Sequence, residues 1–381
     1  MGNVTNRVSN FILLILVAGS YWLWAAGITG PYTKFVFENA IYICLAAAIF
    51  LLAIRYKQLT KSDLGIILLS FFSFLFYFFT TASPIPWIPL ILPTLLLLIL
   101  CFKKTLFDNF DYLMLLGISI VSMVSILYRI CIVQSLGQSY WINTNTLGTA
   151  LLFSTITAVI LLKSFKIGFV KYVLIALVYV ANFIGIWIVT SETALIVLTL
   201  FCIIDTLIPK KLIQSIKINI FSIALSLLFI IVPFIMHYIA TTNTLRIFSG
   251  REQLWGEFFK DWLSTPKNIL IGKEPFYSSI LGKNLGIHNS FLYVLATYGL
   301  LGYALLFGSI IGYVLVFWRS KISRSKKDIS FLLAFLCICI HATMEQTLTS
   351  ASWFPLVYLF LGLTISDQKP TEKQTRSSRN A

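Results

Sequence analysis

Long blocks of hydrophobic residues alternate with short polar connections along this chain of 381 residues. Most blocks have roughly the length that an α-helix needs to cross a bilayer, about 20 residues. They lack the strict alternation of apolar and polar positions that is typical of a membrane β-barrel, so we predict helices. The tenth block is the longest and predicts a tilted or broken helix. The twelve predicted spans are 11–27, 38–54, 64–80, 85–102, 112–134, 147–163, 170–190, 193–208, 218–239, 288–318, 329–343 and 352–366.

The composition indicates the same class of protein. Hydrophobic residues make up 58% of the chain and charged residues 11%, whereas a soluble domain carries about 25% charged residues. The predicted fold is therefore an all-α polytopic integral membrane protein with about twelve transmembrane helices. The six cysteines lie in or at the ends of apolar blocks without metal-ligand spacing, so we interpret them as small buried hydrophobes and predict no metal site.

The net charge of +15 predicts topology rather than nucleic-acid binding, because most of the basic residues lie in short loops. These five loops alternate with five short loops that together hold a single lysine, Lys34. Cytoplasmic loops carry the excess of lysine and arginine, which places both termini in the cytoplasm and the segment 240–287 outside. The polar, basic tail 367–381 is predicted to be disordered. The basic loops are 55–61, 103–104, 163–171, 210–217 and 319–327.

The external segment contains a predicted helix. Ser249 precedes Glu252 by three residues, which is a capping-box pattern for a helix start, and Pro266 predicts its end. Large apolar residues then recur at helical spacing on one face, and two of them are tryptophans. We therefore expect this helix to lie in the membrane interface. The apolar face consists of Leu254, Trp255, Phe258, Phe259 and Trp262.

Polar residues that could carry chemistry gather on the predicted outer side. Arginine suits a phosphate or pyrophosphate because its guanidinium forks onto oxygens and keeps its charge. Histidine can position or deprotonate a hydroxyl near neutral pH. Taken singly, each has a structural interpretation as a solvated loop residue, a turn residue or a helix-end residue; their occurrence together favours group transfer from a lipid pyrophosphate. The candidates are Asn145, Glu192, Arg246, Arg251, His288, Asn289 and Glu345, with Arg129 deeper in a span.

The order of these residues resembles a known family. His288-Asn289 is followed after nine residues by Gly299 and after two more by Gly302, and upstream lie Ser249-Gly250-Arg251, Leu254-Trp255, Pro266 and Gly272. This arrangement is similar to the core domain of the O-antigen ligase and polymerase superfamily. Asn143-Thr144-Asn145 resembles the family's Asn-Pro-Asn segment, and Glu345-Gln346 resembles a Glu-Gln pair of some ligases. The turn Thr190-Ser191-Glu192-Thr193 departs from the family, which often carries an arginine there.

The resemblance implies transfer of a glycan from undecaprenyl pyrophosphate to an acceptor hydroxyl on the outer face of the bacterial inner membrane. It implies a GT-C-like fold, no metal or other cofactor, and a core domain over 140–366 that follows N-terminal helices over 1–139. The expected partners are the lipid-linked glycan, the bilayer and a chain-length regulator, and not nucleic acid.

The resemblance also assigns roles to the candidates. Arg251 and Arg246 would hold the pyrophosphate, and Arg129 would supply the charge that the turn at Glu192 lacks. His288 would orient or deprotonate the acceptor hydroxyl, and Asn289 would bind sugar or fix the histidine. The remaining candidates for glycan binding are Asn145, Glu192 and Glu345.

Three functions stay open at this point. We favour a polymerase that joins lipid-linked repeat units into O-antigen, capsule or exopolysaccharide, because the external segment is compact. The alternative is an O-antigen ligase that transfers the glycan to the lipid A core, as the resemblance of Glu345-Gln346 indicates. A flippase or transporter of the same lipid-linked glycan would need a polar pathway through the spans, where Arg129 is the main polar residue.

Overall fold

The computed structural model describes residues 2–26, 30–81, 85–135, 144–207, 218–242, 248, 250–278, 285–320 and 326–365. Helices dominate this part of the chain, and a short antiparallel hairpin pairs β1 (Tyr277–Ser278) with β2 (Leu285–Gly286). The helices are α1 (Gly2–Ala26), α2 (Pro31–Glu38), α3 (Ala40–Ile54), α4 (Lys61–Thr80), α5 (Ile91–Lys103), α6 (Asn109–Ser135), α7 (Thr144–Ser164), α8 (Val170–Ile188), α9 (Glu192–Cys202), α10 (Ile218–Thr242), α11 (Arg251–Trp262), α12 (Pro266–Ile271), α13 (Ser290–Ser320), α14 (Lys326–His341) and α15 (Phe354–Ile365).

Each of the twelve predicted spans overlaps a helix of the structure. Within the described residues, seven helices are long and apolar enough to cross a membrane. The number is eight if α2 and α3, which meet at a bend of 61°, form one broken span. The all-α membrane class is therefore confirmed, while twelve crossings and a GT-C-like arrangement stay predictions. Helices such as α15, with 12 residues, are only about 18 Å long at 1.5 Å per residue.

The centre of the bundle consists of α5, α7, α14 and α15, whose side chains are almost all buried. Helix α15 packs so closely on α5 that a Cβ added at Gly362 would lie 1.9 Å from the Cβ of Phe102. Trp353, just before α15, stacks on Trp24 with 4.5 Å between the ring centroids. The outer helices α4, α8 and α10 instead expose large apolar side chains, as expected of surfaces that face lipid; examples are Phe71, Phe79, Trp187 and Phe234.

Ion pairs tie the basic loops together at one end of the bundle. Lys104 Nζ lies 2.6 Å from the carboxylate of Asp63. Lys163, at the end of α7, pairs with Asp205, which also accepts a hydrogen bond of 2.9 Å from Ser330 near the start of α14. These residues lie in or beside the loops that the charge pattern places in the cytoplasm. The opposite ends of α7 and α14 carry the candidate site.

Helix α13 is broken at Gly299, as the length of the tenth block predicted. Gly299 has φ 60° and ψ −165°, a conformation that is essentially restricted to glycine. A Cβ there would lie 2.4 Å from the backbone of Leu270, at the end of α12. The break frees carbonyls of α13, and two are satisfied from outside the helix: the amide of Lys273 donates to Ala296, and the Tyr77 hydroxyl donates to Tyr298.

The external segment folds onto the bundle, which corrects two predictions. The apolar face of α11 is covered by the protein and not by the membrane interface: Trp255 is fully buried, and Phe259 packs edge-on against His237 of α10. Helix α11 ends at Trp262, and Pro266 begins α12 after the cap residue Thr265. Ser249, the predicted cap of α11, lies outside the described residues, and Gly250 occupies the N-cap position.

Candidate active site

The carboxylate of Glu345 is the meeting point of the candidate residues. Arg251 Nη2 donates to its Oε1 at 2.7 Å, and Asn145 Nδ2 donates to the same oxygen at 3.1 Å. His288 Nδ1 lies 3.5 Å from Oε2, the outer limit of a hydrogen bond. Four separate elements supply these side chains: the start of α7, the start of α11, the turn before α13 and the loop after α14.

The loop that carries Glu345 is held in place by Ser290, the first residue of α13. The Ser290 amide donates to the carbonyl of Ala342 at 2.9 Å, and its hydroxyl donates to the carbonyl of Glu345 at 2.9 Å. The same hydroxyl accepts from the amide of Leu348 at 3.1 Å. These three bonds fix the backbone of Glu345, so its carboxylate is presented from a rigid support.

Asn289 is fully buried and its side-chain amide is occupied. Its Oδ1 accepts from the backbone amides of Phe291 and Leu292 at 2.8 and 3.0 Å, which caps the first turn of α13. Its Nδ2 donates to the carbonyl of Thr343 at 2.7 Å. These contacts cap α13 and tie it to the loop that carries Glu345, and none of the three is made to the His288 side chain.

His288 adopts a backbone conformation that is uncommon for a residue with a side chain. Its φ is +47°, and such conformations persist where the surroundings impose them. One source of this constraint is Trp255, whose Nε1 donates to the carbonyl of the preceding residue, Ile287, at 3.1 Å. The His288 side chain is 30% exposed.

Arg251 is the first residue of α11, one helical turn before Trp255. Its side chain is 16% exposed and that of Glu345 12%, so the ion pair is mostly shielded from water. Burial disfavours the charged form of Glu345, but the hydrogen bond from His288 and the charge of Arg251 outweigh burial and lower the pKa of the carboxyl. Glu345 is therefore ionised at neutral pH.

A second polar layer lies beneath the carboxylate, and its residues are not among the predicted site residues. His341 Nε2 lies 3.2 Å from the hydroxyl of Thr149, and both side chains are buried. Thr149 also donates to the carbonyl of Asn145, four residues earlier. A sequence signal existed, since Asn145 and Thr149 are polar residues one helical turn apart at the start of an apolar helix.

Three other predicted residues are not brought into this cluster by the described contacts. Arg246 lies outside the described residues. Arg129 is half-buried on α6, with no hydrogen bond or ion pair to the described residues around Glu345. Glu192 is exposed at the start of α9, but the adjacent Ser191 contacts α7: a Cβ added at Gly148 would lie 2.2 Å from Ser191 Cβ. The turn at Glu192 therefore sits beside the first turns of α7.

Among the described residues, no group of three histidine, cysteine, aspartate or glutamate side chains has the geometry of a metal site. The cluster therefore consists of a guanidinium, an imidazole and a side-chain amide around one carboxylate, that of Glu345. Comparison with models of known protein families, with curated proteins and with solved structures gives no match to this chain.

Proposed function

We propose that the chain is a membrane glycosyltransferase that extends a polysaccharide from repeat units carried on undecaprenyl pyrophosphate. The observation that supports this most directly is the convergence of Arg251, His288 and Asn145 on the buried carboxylate of Glu345. This cluster pairs a group suited to an anionic leaving group with a group suited to an acceptor hydroxyl. The chain's resemblance to the O-antigen ligase and polymerase superfamily rests on the same residues.

Arg251 would bind the pyrophosphate of the donor. Its contact with Glu345 uses Nη2, while a guanidinium has five N–H donors in all. The remaining donors can fork onto phosphate oxygens and stabilise the charge that develops as the leaving group departs. Glu345 would hold the guanidinium in a fixed orientation, so that little reorganisation is needed during the reaction.

His288 would act as the base toward the acceptor. With Nδ1–H directed to Glu345, the lone pair lies on Nε2, the nitrogen available for substrate. The acceptor hydroxyl would give its proton to Nε2 while its oxygen bonds to the anomeric carbon of the donor sugar. The bond from that carbon to the pyrophosphate breaks, and undecaprenyl pyrophosphate leaves with the electron pair.

An O-antigen ligase is the second candidate, and one observation favours it. The Glu345-Gln346 pair, which resembles a pair in some ligases, lies at the centre of the site and not at its edge. A ligase would use the same donor and the same chemistry, with a lipid A core as acceptor. A flippase has no comparable support, since the ion pairs of the described residues lie at the two ends of the bundle.

The test is transfer by the purified protein from lipid-linked repeat units in detergent, with lengthened glycan or glycosylated lipid A core as the two products to distinguish. His288→Ala should lower the rate by about 10²–10⁴-fold, the usual cost of removing a positioned general base. His237→Ala is the matched control, because His237 packs against Phe259 and not against Glu345. Unchanged transfer by His288→Ala at normal protein levels would contradict the proposal.

A further inference from the structure

A cavity of about 320 Å³ opens next to the Glu345 cluster. Small-molecule sites are typically about 300–1,000 Å³, so its size suits a short oligosaccharide segment. Aromatic rings form one part of its wall, and the loop between α14 and α15 forms another. The aromatic residues are Phe37, Trp87, Tyr277 and Tyr293.

The polar part of the lining consists of neutral groups and one carboxylate. Gln346 contributes an amide, and Thr349, Ser350 and Ser352 contribute hydroxyls. Glu38 lines the rim and pairs at 3.9 Å with the exposed Lys34. Among the described residues the lining contains no lysine, arginine or histidine, so the cavity is unsuited to a pyrophosphate and suited to a neutral, hydroxyl-rich ligand.

Thr349 adds a hydroxyl to this lining. The residue is only 4% exposed, and its hydroxyl has no hydrogen-bond partner within the described protein. A buried hydroxyl without a partner is costly, and a rotation of the side chain toward the cavity would allow a ligand to satisfy it.

The chain connects this cavity directly to the candidate active site. Gln346 follows Glu345, so neighbouring side chains of one loop serve the cavity and the carboxylate cluster. Gly286 of β2 packs against two residues of the cavity lining: a Cβ added there would be 3.5 Å from Gln346 Nε2 and 3.8 Å from the Tyr277 ring. His288 follows two residues later.

We propose that this cavity binds a sugar segment of the glycan substrate and thereby holds the reacting end of the glycan beside His288. Ring faces of Trp87 and Tyr277 would pack on the apolar faces of the sugar, and Gln346 and Thr349 would bond to its hydroxyls. This inference rests on the proposed glycosyltransferase function and adds the location of its glycan subsite.

The first experiment measures binding without transfer. The probe is the repeat-unit oligosaccharide released by mild acid from the lipid-linked intermediates of the source strain, and its affinity for the full chain in nanodiscs is measured by NMR. Trp87→Ala and Tyr277→Ala should each weaken binding by about two- to tenfold, through loss of an aromatic contact. Tyr277 is half exposed, so its replacement leaves the fold intact even if Trp87→Ala does not.

A matched pair of threonines supplies the sharpest comparison. Thr349→Val should weaken binding by about two- to tenfold, through loss of one hydrogen bond to the ligand. Thr347→Val should leave binding unchanged, because Thr347 is equally buried with a hydroxyl that has no partner in the described protein, yet it does not line the cavity. Equal effects of the two substitutions, or wild-type affinity in both Tyr277→Ala and Thr349→Val, would overturn the proposal.

Transfer kinetics then separate this proposal from the proposed function. A raised KM for the acceptor oligosaccharide in Thr349→Val assigns the cavity to the acceptor, and a raised KM for the lipid-linked donor assigns it to the donor sugar. Transfer with wild-type KM values in Tyr277→Ala and Thr349→Val would refute the subsite and leave the glycosyltransferase function standing. Oligosaccharide binding that depends on Thr349, in a protein without transfer activity, would refute the transferase function alone.

Discussion

Arg251 Nη2 lies 2.7 Å from Oε1 of Glu345, although 94 positions separate the two residues in the sequence. The pair joins the first residue of α11 to the loop after α14, and both side chains are mostly buried. The carboxylate consequently orients a cation on one oxygen and an imidazole on the other. Five predictions follow from this arrangement and from the helices that support it.

The geometry of the Arg251 side chain should matter as much as its charge. Lysine keeps the charge but cannot form two parallel hydrogen bonds to a phosphate, so Arg251→Lys should reduce transfer about tenfold or more. Arg251→Ala should reduce it further. Rates are compared at matched protein levels in detergent. Full activity in Arg251→Ala would remove this residue from the site and leave Arg129 or Arg246 as the phosphate ligand.

Replacing the Glu345 carboxylate by an amide should weaken its contacts with Arg251, His288 and Asn145 while preserving the shape of the side chain. Hydrogen bonds to a charged acceptor are worth about 1 kcal/mol more than neutral ones, so Glu345→Gln should lower transfer about fivefold. It also leaves Arg251 as a largely buried cation, which should lower the midpoint of thermal unfolding. Glu257→Gln is the control, because Glu257 is exposed and accepts from Ser278 instead. Comparable losses in both variants would argue against a special role for Glu345.

The ion pair should stabilise the protein over a defined pH range. The pKa of Glu345 is lowered from about 4.5 in the folded protein. Its stabilising contribution is therefore complete above the unfolded value and is lost as the pH falls through the folded value. The difference in unfolding midpoint between the wild-type protein and Glu345→Gln should therefore shrink as the pH falls below about 4.5. A difference that grows on acidification would contradict the lowered pKa.

The break in α13 should tolerate no side chain. Gly299→Ala places a Cβ against the backbone of Leu270 and forces alanine into a region reserved for glycine, at a cost of about 1–3 kcal/mol or more. Gly308→Ala, in the same helix, has open space around its Cβ position and should be neutral or slightly stabilising. Thermal unfolding in detergent measures both variants. Equal stability of the two would show that the break is not required.

The basic loops should lie on the cytoplasmic side of the membrane, and the segment 240–287 should lie on the outer side. Single cysteines introduced as Lys260→Cys and Ser323→Cys, in a background without native cysteines, should react with a membrane-impermeant reagent from opposite sides. Lys260→Cys should label in intact cells and Ser323→Cys only after lysis. Labelling of Lys260→Cys only after lysis would invert the predicted orientation and place the Glu345 cluster in the cytoplasm.

The helices were predictable because each apolar block is a local pattern, and every predicted span contains a helix. The length of the tenth block predicted a tilted or a broken helix, but it did not predict the break at Gly299, because the backbone contact with Leu270 joins distant segments. Helix α2 and its bend of 61° to α3 were missed, because α2 lies before the apolar block 38–54 from which that span was predicted. The apolar face of α11 was predicted to contact the membrane interface but packs on the protein. The same pattern of apolar residues occurs on helices that bind a membrane surface and on helices that pack into a protein core.

The residues of the candidate site could be predicted from the sequence, but the contacts between them could not. Arg251, His288, Asn145 and Glu345 were all candidates, but a sequence does not show that three of them contact the fourth. The buried amide of Asn289 also could not be assigned to helix capping without coordinates. The contact between Thr149 and His341 spans 192 positions and leaves only a weak local signal in α7.

The distribution of the site along the chain has a consequence for biosynthesis. Asn145 leaves the ribosome 200 residues before Glu345, the residue to which it bonds. During translation, the early helices therefore enter the membrane with their share of the site unpaired. The cluster forms only when the loop after α14 arrives. Formation of the Glu345 cluster thus reports completion of helix assembly, and a partly inserted nascent chain is expected to lack it.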